Sequence, residues 1–158
     1  MLTRLLLLTV AAALLVSVAC GDDDNGGAGT PGQEGPTATV PIATAGTVEV
    51  SATAFAVGDT VGLTGANWVG EGAVQFYLLT PDQSVDAGSA ARAITNGEAP
   101  QVGEATPDAD GNVSFEFALE ASYSTESGAT LAVSAGQELT AFGRQGSTGS
   151  RAEPFTVQ

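Results

Sequence analysis

Residues 112–120 alternate between apolar and polar side chains, and this alternation is the feature that most restricts the fold. An extended backbone places one set on each face: apolar Val113, Phe115, Phe117 and Leu119, and polar Ser114, Glu116 and Glu120. The pair Asp110 and Gly111 just before this segment is typical of a tight turn. The segment therefore predicts a half-buried β-strand that follows a turn.

Shorter segments repeat the same two-residue period. Strands are predicted at residues 48–50, 61–63, 74–78, 112–120, 129–135, 139–143 and 154–157, with weaker candidates at 91–95 and 101–106. No window predicts a long amphipathic helix, and glycine is scattered throughout. About seven short strands separated by turns predict one all-β domain, an antiparallel β-sandwich, over residues 46–158.

The first twenty residues have a different character. Arg4 precedes an apolar run at residues 5–18, which ends at Ala19 and Cys20. This layout is typical of a secretory signal peptide, and the run is shorter than the about 20 residues that a transmembrane helix needs. Residues 16–20 (VSVAC) resemble the lipobox of bacterial lipoproteins. The resemblance implies that residues 1–19 are removed and that the thiol of Cys20 carries a diacylglycerol. The alternative is an ordinary signal peptide cleaved nearby, which leaves Cys20 as a free thiol.

Residues 20–45 are rich in glycine, proline and threonine and nearly lack large apolar side chains. Such a segment buries too little apolar surface to offset the entropy of ordering, so it predicts a flexible, disordered tether. A lipid on Cys20 would attach the protein to the cell membrane or cell surface. The predicted location is therefore extracytoplasmic, with the membrane as a partner through covalent lipid.

The charge and the missing residue types exclude several functions. The chain has 18 acidic residues and four basic ones, a net charge of −14, which opposes binding to nucleic acid. It contains no histidine, no lysine and a single cysteine, so a serine–histidine relay, a serine–lysine pair and a Cys/His zinc site cannot be built. We therefore expect no enzyme activity, no catalytic residues, no cofactor and no metal site.

Three segments of the predicted β domain resemble bacterial Ig-like surface domains. Residues 54–65 (AFAVGDTVGLTG) resemble the strand–turn–strand opening of that family, residues 109–115 (ADGNVSF) its hairpin, and residues 153–157 (EPFTV) its closing strand. The resemblance implies an Ig-like β-sandwich used for spacing, adhesion or binding at cell surfaces. It carries no catalytic residues.

The sequence leaves two functions open. The first is a non-catalytic Ig-like module for adhesion, scaffolding or interaction with an envelope protein. The alternative is a lipoprotein that binds a small ligand or carbohydrate, with Trp68 and Tyr77 as candidate glycan-stacking residues beside a long loop at residues 80–106. Burial of Trp68 in the core is the other interpretation of this single tryptophan. No pattern indicates an oligomeric state.

Asp108, Asp110 and Asn112 alternate as ligands of a calcium loop do. An EF-hand needs a glutamate at the twelfth position of its loop, and that position is Leu119. The spacing therefore favours a tight turn over a calcium site, although stabilisation by calcium remains a hypothesis.

Overall fold

The computed structural model describes residues 46–69 and 71–158. The predicted signal peptide, the predicted lipidation site Cys20 and the predicted tether lie outside these residues. The described chain forms eleven strands and one helix: β1 Glu49–Val50, β2 Ala54–Phe55, β3 Thr60–Gly65, β4 Val74–Leu79, α1 Ala87–Thr95, β5 Gln101–Ala105, β6 Val113–Ala118, β7 Ser122–Ser124, β8 Thr130–Ala132, β9 Glu138–Gln145, β10 Thr148–Arg151 and β11 Phe155–Val157.

The strands form three sheets. A three-stranded sheet has the order β1-β3-β6, and a two-stranded ribbon joins β7 to β8. A six-stranded sheet has the order β2-β11-β9-β4-β5, with β10 also paired to β9. All pairs are antiparallel except that of β11 with β2, which is parallel. The prediction of an all-β domain with antiparallel sheets is confirmed, although the described residues form eleven strands rather than about seven and include one parallel pair.

The apolar faces of the three-stranded and six-stranded sheets meet in the core. Val61 and Leu63 of β3 pair with Phe117 and Phe115 of β6, as the two-residue period of residues 112–120 requires. The ring of Phe115 stacks on that of Phe76 in the opposite sheet, with centroids 5.1 Å apart and planes 5° from parallel. The predicted strand at residues 112–120 is therefore confirmed, and its apolar face packs against the second sheet.

Helix α1 covers the other face of the six-stranded sheet. Ala90, Ala93 and Ile94 of the helix are buried in one cluster with Tyr77, Leu79 and Phe142 of the sheet. All of the last four residues of β4 are therefore buried, since both faces of that strand are covered.

The helix corrects two predictions for residues 80–106. These residues do not form a long loop, because α1 and β5 occupy most of the segment, and residues 91–95 are helical rather than extended. Asp86 caps the helix: its carboxylate accepts a hydrogen bond of 2.8 Å from the backbone N–H of Ser89. Within the described ranges no helix has the length and apolarity required to cross a membrane.

Candidate functional site: a groove between two strand edges

A groove of about 500 Å³ lies where the edge of the three-stranded sheet faces the edge of the six-stranded sheet. Residues 47–50, which include β1, form one wall, and Thr53 also lines the groove. The other wall consists of Ser150 and Arg151 of β10 together with Glu153. Its volume is in the range of ligand-binding pockets in proteins.

The wall formed by β1 turns part of its backbone away from its own sheet. The backbone N–H of Thr47 donates to the carbonyl of Ala66 at 2.8 Å, and that of Ser51 donates to the carbonyl of Gly62 at 2.8 Å. In an antiparallel pair, hydrogen bonds to one neighbour come from every second residue. The backbone N–H and C=O of Val48 and Val50 therefore face away from β3, toward the groove.

The wall formed by β10 has the same property. Ser150 pairs with Gly143 of β9, and the backbone N–H of Ala152 donates to the carbonyl of Ala141 at 2.9 Å. By the same alternation, the backbone groups of Arg151 face away from β9. The groove thus lies between two strand edges whose backbone groups are turned toward it.

The rim of the groove is acidic. Glu49 and Glu153 are exposed on opposite walls. Among the described residues that line the groove, Arg151 carries the guanidinium, and its Nη1 donates a hydrogen bond to the carbonyl of Ser84, in the segment between β4 and α1. The positive charge is therefore directed toward the helix side, while both carboxylates remain available at the groove.

Trp68 supports the groove from beneath. Its side chain is only 3% exposed, and its indole Nε1 donates to the carbonyl of Thr47 at 2.9 Å. Asn67, with a φ of 63°, turns the chain so that the indole enters the core. A Cβ on Gly46 or Gly65 would overlap the indole or the Thr47 carbonyl, so both positions require glycine. The interpretation of Trp68 as a core residue is confirmed.

Tyr77 lies in the separate cluster beneath α1. Its side chain is 7% exposed, and its hydroxyl donates to Oε1 of Gln75 at 3.1 Å. Burial raises the pKa of the Tyr77 phenol; Arg144 opposes this rise and Glu126 adds to it. The hypothesis that Trp68 and Tyr77 form an exposed glycan-stacking surface is wrong, because both rings are buried and they pack in different clusters.

The loop around Asp108 is a tight turn, as its Asp-Gly sequence predicts. The Asp108 carboxylate accepts hydrogen bonds of 2.9 Å from the backbone N–H groups of Asp110 and Asn112. The bond from the Asn112 N–H is the main reason that the pKa of Asp108 lies below its ordinary value. In the part of the chain that the structure describes, no three His, Cys, Asp or Glu side chains are grouped as metal ligands.

Comparison with known proteins identifies a similar fold but no family. The sequence matches no protein-family model and no curated protein. Macromomycin is similar in structure: it is 15% identical, the match covers 72% of this chain and 100% of that chain, and the TM-score is 0.51. A β-glucosidase, EmGH1 from Erythrobacter marinus, is 13% identical over 71% of this chain and 15% of that chain, with a TM-score of 0.42. The likeness to macromomycin indicates a shared fold alone.

Proposed function

We propose that the protein is a non-catalytic, extracytoplasmic lipoprotein whose β domain serves adhesion, scaffolding or interaction with an envelope protein. The observation that carries this proposal is the position of its single cysteine. Cys20 follows directly on an apolar run of signal-peptide length, and a segment rich in glycine and proline separates it from the folded domain that begins at Gly46. A domain so placed would stand clear of the membrane on a flexible tether.

The fold supports an Ig-like β-sandwich as the displayed module. The three-stranded sheet packs through Phe115 against Phe76 of the larger sheet, so the core lies between two mainly antiparallel layers. The Asp110-Gly111 turn precedes β6, as in the hairpin on which the resemblance rests. In this proposal α1 is an addition that covers the outer face of the larger sheet.

The roles of two perturbed carboxylates support a non-catalytic domain. Shifted pKa values are common at catalytic sites, so these groups are the natural candidates for acid–base chemistry. Hydrogen bonds from the backbone and side chain of Ser89 lower the pKa of Asp86, which caps α1. The pKa of Asp108 is lowered within a turn. Each shift is the result of a local structural role.

The carbohydrate-binding alternative receives less support. It requires an aromatic side chain accessible to a sugar face, and Trp68 and Tyr77 are both buried. The groove instead offers backbone groups and carboxylates, which suit a peptide better than a sugar ring. We therefore favour a protein partner.

The anchor is tested by replacing Cys20 with serine in cells that produce the full chain. The wild-type protein should remain in the membrane fraction after a high-salt wash, and its mature N-terminus should carry the mass of a diacylglyceryl cysteine. The Cys20→Ser variant should lack this mass. Once its leader is removed, it should be found in the soluble fraction, because it then has no apolar anchor. A Thr37→Ser variant, which changes the predicted tether but retains the thiol, is the matched control and should remain with the membrane. The proposal would be overturned if the wild-type N-terminus lacked the diacylglyceryl mass, or if a Cys20→Ser protein from which residues 1–19 had been removed stayed in the washed membrane.

A further inference from the structure

We propose that the groove between β1 and β10 binds an extended, basic segment of a partner protein, which adds as a strand to the edge of β1. This inference rests on the proposed function as an interaction module and names the chemistry of its partner. It follows from the backbone groups in the groove, the dimensions of the groove and the charge of its rim.

The backbone groups supply the binding energy for an added strand. Val50, which is half-buried, directs one N–H and one C=O toward the groove, because its neighbour Ser51 uses its N–H group to bond β3. The same alternation applies to Val48, which is only 5% exposed, so Val50 is the main contact point for an added strand. An exposed strand edge is a ready template for another strand, and peptides often bind proteins in this way. The outward groups of Arg151 on the opposite wall offer further hydrogen bonds to the same segment.

The dimensions of the groove suit a short segment. The wall at residues 47–50 spans four residues, or about 13 Å at about 3.3 Å for each extended residue. Val50 is half-buried and lies in the wall, so it offers an apolar contact to alternate side chains of the ligand. A segment of about four to six residues would fill the groove.

The charges select a basic partner and disfavour a second copy of this chain. Glu49 and Glu153 flank the groove, and the domain from Gly46 onward has 14 acidic residues and three arginines, a net charge of −11. Two such edges would bring like charges together, which opposes self-association. Lysine or arginine at alternate positions of a bound strand would instead face the carboxylates.

The test measures binding of labelled octapeptides to the full-length lipidated protein in an uncharged detergent. In one peptide lysine alternates with valine and threonine, and in a second glutamate replaces lysine. In a third, which retains lysine, the amides on one edge are methylated so that they cannot donate hydrogen bonds. We expect the lysine peptide to bind at least about tenfold more tightly than either of the others. It should also slow hydrogen exchange at the amides of Val48 and Val50.

Variants of the protein locate the site. Val50→Pro removes an N–H that faces the groove but leaves the bonds to β3 intact, since proline is tolerated at strand edges. The double change Glu49→Lys and Glu153→Lys reverses the charge of two exposed side chains on the rim. It tests the site without changing the backbone, so it remains informative if Val50→Pro disturbs the fold. Each should weaken binding at least about tenfold. Glu116→Lys, an exposed position on β6 at the far edge of the same sheet, is the matched control and should bind as wild type.

Three results would overturn the inference. They are equal affinity for the lysine and glutamate peptides, unchanged binding by both groove variants, and a concentration-dependent dimer that Val50→Pro abolishes. None of these outcomes bears on where Cys20→Ser is found in the cell. A failure of the groove proposal is therefore distinguishable from a failure of the proposed anchor.

Discussion

The indole of Trp68 and the carbonyl of Thr47 are joined by a hydrogen bond of 2.9 Å that spans 21 residues of the chain. Thr47 lies just before β1 and forms part of the groove wall. The backbone N–H of Trp68 also donates to the carbonyl of Gly111 at 3.0 Å, which links the same residue to the turn before β6. The single tryptophan therefore fixes both the first strand of the domain and the loop that follows β3.

Replacing Trp68 should destabilise the domain strongly. We expect Trp68→Ala to lower the free energy of unfolding by about 3–5 kcal/mol, because a large buried side chain is lost. Trp68→Phe should lower the free energy of unfolding by less, about 1–3 kcal/mol, because it keeps an aromatic ring but leaves the Thr47 carbonyl without its hydrogen-bond donor. Urea unfolding followed by circular dichroism measures both. Val69→Ala, at a neighbouring residue that is 68% exposed, is the control, and equal effects at residues 68 and 69 would contradict the buried role.

The fluorescence of Trp68 provides an independent measurement. Because the indole is only 3% exposed, the native protein should emit at short wavelength and resist quenching by iodide. Addition of simple sugars should leave the emission spectrum unchanged. Unfolding in urea should shift the emission to longer wavelength and make the indole accessible to iodide. A native spectrum that is red-shifted and responds to sugars would revive the carbohydrate-binding alternative.

Gly143 of β9 lies in a closely packed part of the core beneath the groove. A Cβ there would lie 2.7 Å from Cγ2 of Val48 and 3.1 Å from the indole of Trp68. We expect Gly143→Ala to cost about 1–3 kcal/mol in urea unfolding, through overpacking. Gly62→Ala is the control, since its Cβ would come no closer than 3.2 Å to the exposed Ser51 side chain. If both variants unfold at the same urea concentration, the close packing at Gly143 is not a constraint.

The strands that could be predicted are those whose side-chain pattern reflects burial on one face. β3 and β6 alternate because only one face of each packs on the core. In β10 the sequence Thr148–Arg151 contains no large apolar residue, so no period marks it as a strand. Its pairing with β9 comes from the turn between Gln145 and Thr148, where Gly146 has a φ of 58°.

The helix and the groove could not be predicted for different reasons. The buried residues of α1 are mostly alanines, which give little hydrophobic contrast in a segment of only nine residues. The groove exists because β1 and β10 are edge strands. Their positions at the edges follow from the order of strands in two separate sheets. Strand order is a long-range property, and residues 47–50 carry no local signal of it.

Helix α1 should be sensitive to loss of Ile94. This side chain is 5% exposed and packs with Tyr77, Leu79 and Phe142, so Ile94→Ala leaves a cavity over the sheet. We expect a loss of about 2–5 kcal/mol in the free energy of unfolding, with faster hydrogen exchange in α1. Thr95→Ala, at an exposed position of the same helix, is the control. Similar exchange in the two variants would show that the helix is not held by this contact.

The Asp108 turn predicts how stability changes with acid. Hydrogen bonds from Asn112 and Asp110 favour the ionised carboxylate in the folded state, so the pKa of Asp108 is lowered from its ordinary value of 3.8. A lowered pKa stabilises the fold above the ordinary value, and this contribution is lost as the pH falls through the folded pKa. The free energy of unfolding should therefore decrease as the pH falls below about 4.

Asp108→Asn tests this directly, because asparagine can still accept a hydrogen bond but does not titrate. In urea unfolding between pH 6 and pH 2.5, the variant should show a smaller decrease in the free energy of unfolding than wild type. Asp110→Asn removes the same charge from the same turn without removing the acceptor of these bonds, and the difference between the two variants is the measured quantity. Identical pH profiles for the two variants would show that the Asp108 carboxylate does not stabilise the turn.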